Sequence, residues 1–290
     1  VTKLSLLLKV LEEESGQLAF AFERILPDLG RNIQCGNSLI GSDYFDGRLV
    51  VDEAERRRVN AFDWQRAFPS IFARGGFDAV IGNPPWGGDI DDELSYFHSH
   101  FSESTMFHTD SFKIFIQKAI QLTKHHGIFS MIVPNTLLRQ KRIMDVRRLM
   151  LSENILTIVD LGEDVFERVV APACIFMVRK EVPDQEKIQY LDVSHLNYNE
   201  RISTIRNSND AGEFISRANW ENNEELEFKP SAKSPHSKFT KISEYPALKL
   251  KDAGINYQRI NVGMQEKGNS NLSERLLYEV EKQRPNDKMY

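Results

Sequence analysis

FDAVIGNPPWGG, residues 77–88, decides how the rest of the chain is read. An unbroken apolar run stops at an asparagine, two prolines and a tryptophan, with glycines close by on both sides. A run of this length bounded by Gly and Pro predicts a buried strand over 77–82. Asn83 then stands just past the strand's carboxyl end, where open α/β sheets bind ligands. Asn83 offers a neutral carbonyl acceptor on a short side chain. Pro84 keeps its carbonyl and has no N–H, and Pro85 holds Pro84 in extended geometry. Two acceptors are thereby fixed close together, beside the flat apolar face of Trp86. Such a site suits a planar group carrying an NH2. If both hydrogens are accepted, the nitrogen lone pair becomes available for attack, and stacking on an aromatic ring is worth roughly 1–3 kcal/mol per base. The competing reading is a plain Pro-Pro turn with Trp86 as a core residue.

Outward from this stretch, apolar runs alternate with amphipathic ones. IQCGNSLIG (33–41) predicts a short strand and loop. The charged stretch 53–67 predicts a helix that stops near Pro69, and 89–110 a loop. SFKIFIQKAIQLTKHH (111–126) predicts a helix capped by Asp110 or Ser111, with Phe112, Phe115, Ile116, Ala119 and Ile120 on one face and Gly127 at its end. IFSMIVP is a buried strand, 137–151 a basic helix, and ILTIVDLG and ACIFMVRK two further strands. The class is α/β: a mostly parallel sheet with helices on both faces. The last two strands are too close for a helical crossover, which predicts an antiparallel hairpin at the sheet edge. Residues 1–14 predict an amphipathic helix.

The chain has 290 residues, 41% apolar and 27% charged, with a net charge of −5. It contains no apolar run long enough to span a membrane. Two distant cysteines, Cys35 and Cys174, suit a reducing cytoplasm, and no His/Cys spacing suggests a metal site. The negative charge gives no support to nucleic-acid binding, although a local basic patch suffices for phosphates. LLRQKRIMDVRRLM (137–150) has five cations against one acid. It is either a phosphate-contacting face, through Arg139, Lys141 and Arg142, or a solvated helix face. Arg56, Arg57 and Arg58 read as solvated. Composition turns polar near residue 200. The expected organisation is a catalytic domain over 1–200, a linker over 201–240 with little core of its own, and the start of an incomplete further domain over 241–290.

The quoted stretch resembles the fourth motif of amino-methyltransferases. NIQCGNSLIGSDY (32–44), FDWQRAFPSIFARGGFDAVIGNPPW (62–86), TDSFKIFIQKAIQLTKHHGIFSMIVPNTLLR (109–139) and VDLGEDVFERVVAPACIFMV (159–178) together resemble bacterial DNA adenine-N6 methyltransferases of restriction–modification or phage-defence systems. The resemblance implies a partial Rossmann-like methyltransferase fold and S-adenosylmethionine as cofactor. It implies double-stranded DNA with a flipped adenine as substrate, and a restriction or specificity subunit as partner. It implies that Asn83 and the Pro84 carbonyl hold the adenine N6 amine, that Pro85 shapes the turn, and that Trp86 and Phe166 stack on the base. Asn37, Ser38 and Leu39 would line the cofactor's adenine. The family's glycine-rich first motif is not found ahead of Asn83. The expectation is therefore an internal piece of a longer enzyme, inactive alone, with weak or absent cofactor binding. LKDAGINYQRINVG (250–263) resembles the opening of a target-recognition domain. Two rivals remain: a protein-glutamine methyltransferase, which presents an amide nitrogen to the same kind of loop, and a non-catalytic DNA-binding or scaffold module.

Overall fold

The computed structural model describes residues 31–166, 171–207 and 212–230. The chain divides into two units, Val1–Ser231 and Ala232–Tyr290, and every described residue lies in the first. The readings of 1–14 as a helix and of 241–290 as part of a further domain fall outside the described residues.

In chain order the elements are α1 (Glu53–Val59), α2 (Trp64–Ala67), α3 (Pro69–Phe72), β1 (Phe77–Gly82), α4 (Leu94–His100), α5 (Ser111–Leu122), β2 (Thr123–Pro134), α6 (Thr136–Arg139), α7 (Met144–Leu151), β3 (Asn154–Gly162), β4 (Ala173–Arg179), β5 (Lys187–Asp192), α8 (Tyr198–Arg206), β6 (Glu213–Ser216) and α9 (Arg217–Glu221). Short 3-10 turns accompany them at Ser42–Phe45, Asp91–Glu93 and Lys141–Ile143.

The strands form one sheet in the order β1-β2-β4-β3-β5-β6. β1 and β2 are parallel, as are β3 and β5; β4 is antiparallel to both β2 and β3, and β6 is antiparallel to β5. Four strands thus share one direction, as the α/β reading requires. The β3–β4 hairpin forms as expected but not at the edge. β4 returns between β2 and β3, and the antiparallel edge is β6.

Side-chain alternation builds two cores. Ile158, Cys174, Phe176 and Val178 point to one face, where Phe112 and Ile116 of α5 and Val146 and Met150 of α7 cover them. Val159, Leu161, Ala173 and Leu191 point to the other, with Ile205 of α8 against them.

Several local expectations are corrected. α5 ends at Leu122, and Gly127 lies inside β2. The β1–β2 register slips between Phe77 and Ala79, and His126 adopts a positive φ of 63°. A Cβ at Gly127 would sit 2.9 Å from the Phe77 carbonyl oxygen, so glycine serves a bulge rather than a helix end. Pro69 begins α3 rather than marking a stop, since proline is favoured at a first helical position. Residues 94–100 are helical, and 33–41 contribute no strand beyond an isolated bridge from Asn37 to Ala61. β1 is not buried: Ile81 is 87% exposed, because β1 has one neighbour among the described strands. The expected linker is folded over residues 201–207 and 212–230. It supplies α8, β6 and α9, and Trp220 and Phe228 are buried in the main core.

Candidate active site

Asn83 is exposed and follows directly on β1, at the same end of the sheet as Asn135 after β2. Pro84 is buried, Pro85 exposed and Trp86 half-buried against both cores. Among the described residues nothing hydrogen-bonds the Asn83 side chain or the Pro84 carbonyl, whereas the rest of the turn is held tightly. The Ser111 hydroxyl donates to the Pro85 carbonyl at 2.7 Å and accepts from the Gly88 amide at 3.1 Å. Asp110 Oδ1 accepts from the Gly87 amide at 3.3 Å while also capping α5 through the Phe112 amide. The chain can make this turn because Gly87 takes a φ of +62°, a region that favours glycine.

The structure brings Trp86 and Phe166 together. Their ring centroids lie 5.6 Å apart at an interplanar angle of 73°, an edge-to-face contact. The Trp86 indole nitrogen is buried, with no hydrogen-bond partner among the described residues.

Asn37, Ser38 and Leu39 form a separate cluster. The Asn37 side-chain oxygen accepts from the Leu39 amide at 3.1 Å, the Ser38 carbonyl accepts from the Trp64 indole at 3.0 Å, and Leu39 is buried with Ile40, Val59, Phe97 and Ile114. Phe115 packs on this cluster and on the main core, which links it to the sheet through α5. Gly36 and Ser38 line a cavity of about 580 Å³ with Phe62, Trp64, Phe68 and Phe77 among its walls. That volume lies in the range of small-molecule sites. The aromatic walls and Ser38 fit the purine end of a nucleoside cofactor, and Asn37 stands between the lining residues Gly36 and Ser38.

The basic segment does not present a uniform face. Arg139 lies 3.9 Å from the Asp160 carboxylate and Lys141 lies 3.1 Å from Glu225. Arg142 faces the Gln140 side-chain oxygen once that amide is oriented to accept from it. Asp160 sits near the carboxyl end of β3. Burial raises its pKa, and Asp192 on the neighbouring strand raises it further, against the opposing pull of Asn135 and Arg139. Of the arginine triplet, Arg57 pairs with Glu53, Arg58 with Asp92 and Glu93, and Arg56 lies 5.2 Å over the Phe45 ring.

Sequence reasoning assigned Asp110 and Ser111 to helix capping alone. Their second task, holding a turn more than twenty residues earlier in the chain, left no signal in local spacing.

The turn thus lies at the carboxyl end of a mixed α/β sheet, and it is sequence similarity that gives the class, a methylase. Residues 1–166 match the Eco57I restriction-modification methylase family, and the chain belongs to that family. It is 28% identical over 188 residues to a type II restriction enzyme and methyltransferase of Escherichia coli; the match covers 62% of this chain and 17% of that protein. Among solved structures it is similar to the type I restriction-modification methyltransferase subunit from Streptococcus thermophilus, at a TM-score of 0.45 and 20% identity, covering 58% of this chain and 40% of that one. It is also similar to the type IIG restriction endonuclease BpuSI, at a TM-score of 0.42 and 17% identity, covering 54% and 21%. No described helix is long and apolar enough to cross a membrane.

Proposed function

We propose that the chain carries the methyl-accepting site of a restriction–modification DNA methyltransferase that modifies the N6 amine of adenine. The observation that carries this reading is the division of labour in the turn. Pro85, Gly87 and Gly88 are tied to α5, while Asn83 is exposed and, among the described residues, its side chain and the Pro84 carbonyl have no hydrogen-bond partner. Those two oxygens accept the two hydrogens of an exocyclic amine and orient its lone pair outward. The target base leaves the duplex at a cost of a few kcal/mol, offset by contacts in the pocket. Trp86 supplies one stacking face and Phe166 the other; since the rings touch edge to face, an entering base has to part them. Asn37 and Ser38 hold the purine end of S-adenosylmethionine, which supplies the methyl group when bound. The transfer is an in-line displacement, so the protein's contribution is positioning. Double-stranded DNA is the partner, with Lys141 and Arg142 as candidate phosphate contacts, and a restriction or specificity subunit is a further partner.

The test is Asn83→Ala in the native enzyme. Methylation is expected to be abolished, with DNA affinity held within about tenfold, or about 1.4 kcal/mol. Methylation at wild-type rate by this variant removes the reading.

A further inference from the structure

We propose that Ser111, assisted by Asp110, is a positioning residue for the reaction: it locks the turn that presents Asn83 and the Pro84 carbonyl. This rests on the methyltransferase reading of Asn83.

Prolines at 84 and 85 leave this part of the turn with no backbone N–H of its own. A turn that must hold two acceptors in fixed geometry therefore needs bracing from elsewhere in the chain. Ser111 provides it with one hydroxyl. The proton goes to the Pro85 carbonyl at 2.7 Å, and a lone pair receives the Gly88 amide at 3.1 Å, so both ends of the Trp86–Gly87 corner are fixed by one atom. Fixing the Pro85 carbonyl sets the Pro85–Trp86 peptide plane, from which the Trp86 side chain departs. Because the proline ring locks φ at 85, the preceding carbonyl, that of Pro84, is constrained as well. Asp110 adds the Gly87 amide at 3.3 Å.

The brace is itself anchored. Ser111 is 2% exposed. Two residues on, the fully buried Lys113 ammonium bonds Asp145 Oδ2 at 2.8 Å, the Arg142 carbonyl at 3.4 Å and the His108 carbonyl. That ties the loop before α5 and the start of α7 to the same helix end. The rigid core thus extends through Lys113, the first turn of α5 and the Ser111 hydroxyl to the reacting edge. Geometry of this kind matters steeply: a misplacement of about 1 Å can cost on the order of 100-fold in rate.

The experiment is steady-state and single-turnover methylation by the native enzyme carrying Ser111→Ala, with Asn83→Ala alongside. Removal of the hydroxyl is expected to lower kcat and the single-turnover rate about 10- to 100-fold, with KM for DNA and for S-adenosylmethionine within about twofold. Ser111→Thr, which keeps the hydroxyl, is expected to recover most of the lost rate. An unchanged kcat in Ser111→Ala overturns the proposal. So does a fall in kcat accompanied by a matching rise in both KM values and loss of the folded state, which marks a general structural role. If Asn83→Ala abolishes methylation while Ser111→Ala does not slow it, only the clamp is wrong. If Asn83→Ala still methylates, the underlying reading fails instead.

Discussion

Arg147 shows what one side chain's charge does and does not announce. In the sequence it is one cation among five in 137–150, and the segment reads as either a phosphate-contacting or a solvated face. In the structure it is 0% exposed. Its guanidinium donates to the Leu137 carbonyl at 2.7 Å, the Gln140 carbonyl at 3.0 Å and the Glu225 carbonyl at 2.8 Å. Burial lowers its pKa to about 10, yet it stays charged at neutral pH. The planar fork serves three carbonyls at once, joining α6, the turn after it and the chain beyond α9. A lysine has one compact ammonium and cannot span them. Arg147→Lys is expected to leave at least one buried carbonyl without a donor and to destabilise the fold by about 1–3 kcal/mol, measured by urea unfolding. A change under about 0.5 kcal/mol would mean that water replaces the missing donor. Trp86 is the opposite case, a ring whose buried indole N–H has no partner among the described residues. Such a donor carries a desolvation penalty of about 1–3 kcal/mol, offset by the packing of the ring on both cores.

At the scale of elements, Glu181 gathers three strand ends. Its carboxylate accepts from the Asn154 amide at 2.8 Å, from His126 at 2.7 Å and from Arg179 at 3.3 Å, which brings together the start of β3, the bulge of β2 and the end of β4. The Asn154 bond above all, then those from His126 and Arg179, holds its pKa down to about 2 against an ordinary 4.5. Between those values the folded form is ionised while the unfolded chain is protonated, so the unfolded state binds more protons and stability rises with pH. The contribution is complete above about pH 4.5 and is lost as the pH falls toward 2. Urea unfolding across that window is expected to show a steeper acid loss in wild type than in Glu181→Gln, whose side chain does not ionise; equal slopes would assign the loss to other carboxylates. This knot was invisible in the sequence, because His126, Asn154 and Glu181 meet only through the β1–β2 register slip and the insertion of β4. What the sequence made legible were features written in consecutive residues: the strand over 77–82, the helix from Ser111, the runs of β2, β3 and β4, and the turn at 83–86. It misplaced features that depend on neighbours. β1 looked buried because its residues are apolar, but exposure follows from its edge position. The expected linker over 201–240 looked like one because polar residues dominate, yet β6 pairs with β5, and Ile215, Trp220 and Phe228 are buried in the main core. The candidate site was legible at Asn83–Trp86 for the same local reason, and its brace at Asp110 and Ser111 was not.

For the whole molecule, the proposed function raises the question of how a chain of net charge −5 would meet a polyanion. Within these 290 residues, attraction for phosphates would come from a local patch, since their net charge is negative. Within the basic segment the structure removes Arg147 to the interior and turns Arg139 toward Asp160. Of the other three cations, Arg148 is exposed on α7, and Lys141 and Arg142 lie on the exposed turn between α6 and α7. The Lys141 side chain is 74% exposed, and its partner Glu225 is an exchangeable surface contact worth little in water. Lys141 and Arg142 both follow β2, the strand beside β1, at the same end of the sheet as Asn83, so a duplex delivering a base to Asn83, as proposed, would pass near them. Each phosphate neutralised by a cation contributes about 0.9 to the slope of log affinity against log salt. Lys141→Glu with Arg142→Glu is therefore expected to weaken DNA binding by the native enzyme at low salt and to flatten that slope by about 1 to 2. The comparison variant is Arg57→Glu, which reverses an exposed charge paired with Glu53 on α1. It makes the same change in net charge per site but is assigned no phosphate. If the Lys141/Arg142 double variant keeps the wild-type slope, or shifts it no more than Arg57→Glu does, the turn between α6 and α7 is a solvated face and the duplex is held by other parts of the protein. A slope change confined to the double variant places the DNA backbone across that turn, independently of whether methylation itself is measured.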